Sequence, residues 1–117
     1  LGAPFSYIQW ENIQVESNLA PLLSSRNAEV IPDQYIVVFK DQLPKERVEY
    51  HHNCIRSFVE EENTKLAKRG ILDKLIHGIT HIYDLKVLKG YAGKFTKEVL
   101  NKIRQSDEVA WVERDQV

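Results

Sequence analysis

A chain of 117 residues has room for one domain with a real core and too little for two. With 43% hydrophobic and 28% charged residues the composition is that of an ordinary globular domain, which excludes a disordered, collagenous or coiled-coil chain. The net charge of −1, with 16 Lys and Arg scattered among 17 acidic residues, leaves no basic face for nucleic-acid phosphates. No apolar run approaches the roughly 20 residues that span a bilayer.

Residues 1–30 read as an irregular N-terminal extension, in which Pro4, Ser17, Pro21, Ser24 and Ser25 interrupt apolar groups such as Phe5, Tyr7, Ile8 and Trp10. They lack the apolar stretch of a signal peptide, and Leu1 in place of Met fits a chain already processed as well as an arbitrary start. Aromatic residues this dense are unusual in a free linker, so Tyr7 to Val15 is a place for an added strand or turn. The domain proper is set at 31–117. After Pro32, the β-branched and aromatic run Tyr35-Ile36-Val37-Val38-Phe39 predicts a central strand ending at Lys40-Asp41.

Pro44 suits the first turn of a helix, where its missing amide hydrogen costs nothing, and the helix is predicted to run to Lys68. Its apolar face takes Val48, His51 or His52, Ile55, Phe58, Val59 and Leu66 at three- and four-residue steps, with Glu62 out of place. Lys68-Arg69-Gly70 offers cations to the carbonyl end and a glycine for a left-handed closing residue. The same dibasic pair would serve a processing protease, and capping is the favoured reading. Cys54, beside Ile55, is expected to be a buried structural thiol. One cysteine excludes an internal disulfide and a multi-cysteine metal site.

From Ile79 to Phe95 two strands are predicted, through His81-Ile82-Tyr83, Val87-Leu88 and Tyr91-Ala92-Gly93-Lys94-Phe95. Gly90 and Gly93 mark a turn, a bulge or a close backbone approach. Thr96 is a good N-cap for a short second helix with Glu98 in its first turn, Val99, Leu100 and Ile103 along one side, and Ser106-Asp107 at its end. Val109 to Glu113 reads as a fourth strand. Strand, helix, strand, strand, helix, strand is the order of an α+β ferredoxin-like sandwich: a four-stranded antiparallel sheet with two helices on one face. An uncovered second face with apolar content is a natural place for a partner, although the fold alone does not give function.

Catalytic templates lack their parts. There is no Gly-x-Ser-x-Gly turn, phosphate-cradling loop or His-Glu-x-x-His helix. His77 and His81 are four apart, but Gly78-Ile79-Thr80 is loop and strand rather than the helix that would aim both at one metal. Glu60-Glu61-Glu62 reads as a solvated helix face rather than an acid–base pair. No catalytic residue, cofactor or metal site is expected.

Ordered landmarks carry a more specific signal. Ile31-Pro32-Asp33-Gln34-Tyr35-Ile36-Val37-Val38-Phe39-Lys40 resembles the opening strand of the propeptide inhibitor domains of fungal subtilisins. Tyr50-His51-His52, Gly90-Tyr91-Ala92-Gly93-Lys94-Phe95, and Ile103-Arg104-Gln105 leading to Val109-Ala110-Trp111-Val112-Glu113-Arg114-Asp115 follow in that family's order. Within the family the chain is most similar to vacuolar proteinase-B-like, cerevisin-type enzymes, from the Ala20-Pro21-Leu22-Leu23-Ser24-Ser25 segment onward.

The resemblance implies a non-catalytic propeptide, part of a zymogen, that acts as intramolecular chaperone and, after autoprocessing, as inhibitor of its own mature protease. It implies a fungal secretory route ending in the vacuole or outside the cell, with no nucleic-acid or membrane partner. In such complexes the sheet packs on two surface helices of the protease, and acidic residues of the last strand cap their N-termini. Glu113 and Asp115 match those positions; two apart on a strand, they point the same way. The family's tail lies extended in the substrate cleft, and here Asp115, Gln116 and Val117 begin it. Trp111, Glu113, Arg114, Asp115, Gln116 and Val117 are thus the expected protease-binding residues.

The alternative is a stand-alone protease inhibitor or another ferredoxin-like binding module. A reader of RNA would want Lys or Arg among the aromatics of its central strands, and Tyr35 to Phe39 has none. The long extension favours a zymogen piece. The histidines would charge in an acidic compartment and weaken a docked interface, or else are surface or core histidines with no switch.

Overall fold

The computed structural model describes residues 8–11, 19–25, 29–73 and 78–116. In chain order these form β1 (Ile8–Glu11), β2 (Leu22–Ser25), β3 (Val30–Phe39), α1 (Lys45–Lys68), β4 (Gly78–Asp84), β5 (Lys89–Lys94), α2 (Lys97–Gln105) and β6 (Val109–Gln116). The class is α+β, as expected. Its centre is an antiparallel set in the order β6-β3-β5-β4, with α1 crossing from β3 to β4 and α2 from β5 to β6.

The four-strand expectation needs correcting. The sheet has six strands, ordered β1-β2-β6-β3-β5-β4, and is mixed: β2 runs parallel to β6, and β1 antiparallel to β2. The extension, expected to be irregular, supplies both added strands. Its strand-forming reason is burial, since Ala20, Leu22 and Leu23 are each less than a tenth exposed. Of the expected Tyr7 to Val15 element, Ile8–Glu11 is strand and the rest lies outside the described residues.

One contiguous core lies between the helices and the sheet. Tyr35, Val37 and Phe39 of β3, Tyr91 of β5 and Val109 and Val112 of β6 meet Ile55 and Val59 of α1 and Val99, Leu100 and Ile103 of α2. Alternation along β3 explains the selection: every second residue from Tyr35 faces the helices. On α1 both His51 and His52 are buried, where one was expected. Cys54 lies off that stripe and is half-buried rather than buried. Glu62, at the margin of the apolar face, pairs with Lys65 at 3.4 Å.

Chain punctuation follows the sequence closely. α1 ends as predicted, with Gly70 at φ 73°, its N–H donating to the Ala67 carbonyl at 3.0 Å and the Ile71 N–H to the Leu66 carbonyl at 2.9 Å. Val87 is not in a strand. It sits in the tight turn closed by the Leu85 and Leu88 amides and carbonyls, and is 90% exposed. Thr96 caps α2, its Oγ1 accepting from the Val99 N–H at 3.3 Å. Replacing Thr96 by Ala is expected to cost about 1 kcal/mol, read as a lowered thermal midpoint.

The core carries one polar cluster. The Tyr91 hydroxyl and His51 Nε2 are 2.6 Å apart, and the His51 ring stands edge-on to Phe39 at 4.9 Å. Burial holds the phenol well above its ordinary pKa, so Tyr91 stays protonated and donates to the neutral imidazole. The tautomer this assigns to His51 places the proton on Nδ1, which faces Glu108 Oε1 at 3.9 Å. Burial, then the neighbouring His52 and Arg47, depress His51 from 6.5 to about 4. His52 is lowered too, chiefly by burial and then by Arg56, and its Nε2 has no hydrogen-bond partner.

Candidate functional site

Strand β6 gathers the residues singled out in the sequence, but on two faces. Val112 is fully buried among the helices. Alternation therefore sends Trp111, Glu113 and Asp115 to the opposite, helix-free face, and Arg114 toward the helix side. The register confirms the sorting: Arg114 stands opposite Tyr35, which packs in the core, while Trp111 and Glu113 stand opposite Val38 and Ile36. Val109 also joins the core, although three residues from Val112, because the register shifts between Val38 and Phe39 and leaves Ala110 as an extra residue.

The open face is both apolar and acidic at this end. Glu113 lies between Ile36 of β3 and Leu23 of β2. Its Oε2 accepts from the Trp111 indole N–H at 2.9 Å, which aligns the carboxylate along the strand and leaves further acceptor positions open to another donor. Asp115 Oδ1 accepts from the Gln116 amide at 2.9 Å. Trp111 also borders a hollow of about 400 Å³ that Val38, Val87, Leu88 and Ala110 line with Lys40 and Lys86. Apolar floor, aromatic rim and paired carboxylates suit a docking surface better than a reaction site.

Gln116 is the last residue of β6. Its side-chain amide is turned along the sheet to the backbone of Ser25, where Nε2 donates to the carbonyl at 3.1 Å and Oε1 accepts from the N–H at 3.0 Å. Val117 lies outside the described residues. Sequence alone did not mark Ile36, Val38 and Leu23 as lying on the helix-free side, where Ile36 is half-buried and Val38 and Leu23 are 3% and 4% exposed. The signal was present for the first two, since a strand buried on one face presents its alternate residues to the other.

The described histidines do not gather into a metal site. His77 lies outside the described residues, His81 is exposed on β4, and among the described residues no three His, Cys, Asp or Glu side chains gather to hold an ion. Among the same residues no helix is long and apolar enough to cross a membrane.

The helix-free side of β6, with Glu113 held by the Trp111 indole, has the character of a docking surface. Comparison with known proteins makes that specific. A profile of the peptidase inhibitor I9 family matches residues 34–117, and the chain belongs to that family. It is similar to fungal subtilisin-like proteases: one of Coccidioides posadasii is 41% identical over 86% of this chain, one of Aspergillus niger 35% over 86%, and one of Cochliobolus lunatus 36% over 98%. This chain covers only 24%, 20% and 23% of those proteins. It is an inhibitor domain of the kind found in fungal subtilisin-like proteases, and not a catalytic domain.

Proposed function

We propose that this chain is the prodomain of a subtilisin-like serine protease, that it templates the folding of the catalytic domain, and that it inhibits the mature enzyme by docking through the open face of its sheet. The observation that carries the reading is β6: Trp111, Glu113 and Asp115 share the helix-free face beside the half-buried Ile36. A face of this kind can cover apolar helix surface on the protease while its carboxylates meet unpaired amides and the positive end of helix dipoles. The end of the strand then leads the chain toward the substrate cleft. The inhibitor domain is taken as 31–117, with 1–30 as the pro-region extension. The same reading places the protein on the secretory route, in the vacuole or outside the cell, with its own catalytic domain as partner and with neither nucleic acid nor membrane.

Removing the two charges while keeping shape tests the docking. In the variant carrying Glu113→Gln and Asp115→Asn, inhibition of a subtilisin-like protease is expected to weaken about tenfold, the worth of two carboxylates at helix N-termini. The thermal midpoint should stay within a few degrees of the parent chain. An unchanged inhibition constant would remove both carboxylates from the interface.

A further inference from the structure

Residues 19–25 precede the stretch matched by the I9 profile, yet they grip β6 along its outer side. The Ala20 N–H donates to the Arg104 carbonyl at 2.8 Å, and Arg104 Nε donates back to the Ala20 carbonyl at 2.7 Å, with both residues buried. The Val112 N–H donates to the Pro21 carbonyl at 2.9 Å. Leu22 and Leu23 then pair in parallel with Val112 and Glu113 and are 3% and 4% exposed. Last comes the Gln116 amide, whose two bonds to the Ser25 backbone imitate a ladder rung with a side chain.

The inner side of β6 is less regular where it matters. Its pairing with β3 jumps from Arg114 opposite Tyr35 to Gln116 opposite Val30, so two steps along β6 correspond to five along β3. Asp33, at φ 62°, lies within that break. Beyond Arg114, then, β3 offers an interrupted ladder, and the Ser25–Gln116 pair supplies a fixed hold on the other side. The relatives match 86% or more of this chain, a larger share than residues 34–117 make up, so their similarity reaches into the extension.

We infer that residues 19–25 are a clamp that sets the path of β6 beyond Glu113, and that Gln116 is a positioning residue acting through Ser25 rather than by touching the protease. This rests on the docking role proposed above for β6. Without β2, β6 would be an edge strand whose end is free to twist. With it, the tail leaves the sheet in one direction, and less ordering is required on binding.

A double-mutant cycle on the full chain tests the clamp, using Gln116→Ala, Ser25→Pro, which removes the donor N–H, and both together, titrated against a subtilisin-like serine endopeptidase. Each single change is expected to raise the inhibition constant about tenfold and the pair no more than either alone, because both break one connection. Thr96→Ala, a distant change that lowers stability, should leave inhibition unaltered. Additive effects would mean that Gln116 meets the protease directly, and would overturn the clamp. So would an unchanged constant for Gln116→Ala, or an equal weakening by Thr96→Ala. If the unaltered chain does not inhibit at all, the docking role itself is wrong and the clamp falls with it.

Discussion

Lowering the pH from 7 to 4 is expected to remove about 3 kcal/mol of folding stability through His51 alone, since its pKa falls from 6.5 to about 4 on folding. The sign follows from proton counting. The unfolded chain binds a proton at His51 near pH 6.5, whereas the folded chain resists until about 4, so the unfolded state gains protons first. Stability is full above pH 6.5, declines between 6.5 and 4, and stops declining below that for this group. His52 shifts in the same direction and adds to the loss. The surroundings give the cause: α1 contributes Arg47 and His52, β5 the donating Tyr91, β3 the Phe39 ring, and among the described residues only Glu108 offers a counter-charge, at 3.9 Å. Urea unfolding at several pH values checks this, with His51→Gln expected to flatten the dependence between pH 6.5 and 4. A variant with the parental slope would clear His51 of the effect. Because both histidines lie in the core, acid is expected to loosen the domain itself.

Alanine at position 90 is expected to cost about 3 kcal/mol or more, a large part of the stability of a domain this size. A Cβ on Gly90 would run into the Val37 backbone carbonyl, an atom held in the β3–β5 ladder that cannot rotate aside. The two strands would have to part, and Tyr91 and Val37, both fully buried, sit at the next rung. Gly70→Ala makes the contrast. There the site is open and only the left-handed backbone at φ 73° resists, for about 1 to 2 kcal/mol. Chemical denaturation of the two variants should rank them in that order, and equal losses would contradict the backbone contact.

The central sandwich was legible because its signals are local. Pro44 and Gly70 bracket α1, Thr96 starts α2, and β-branched residues mark β3, each through a preference of the backbone at that residue. The added strands were not legible. Leu22-Leu23-Ser24-Ser25 has little strand propensity, and it becomes a strand because β1 pairs with it on one side, β6, some 90 residues later, on the other, and Leu22 joins the core with Val112. Glu113 and Asp115 could be paired from their spacing, which fixes a common face. The turn of Gln116 toward Ser25 could not, since a side-chain amide at a strand end has equal use for solvent, a partner protein or a neighbouring backbone. Val87 misled for a related reason: its strand preference was overruled by the geometry of the turn between Leu85 and Leu88.

The most direct test is a titration of this chain against a subtilisin-like serine protease, beside a form ending at Glu113 whose fold is checked by circular dichroism. The account predicts inhibition by the full chain below about 1 μM, and a loss of about a hundredfold or more in the shortened form, which lacks the end of β6 and the tail. No inhibition by the full chain at micromolar concentration, or equal inhibition by the two forms, would contradict it.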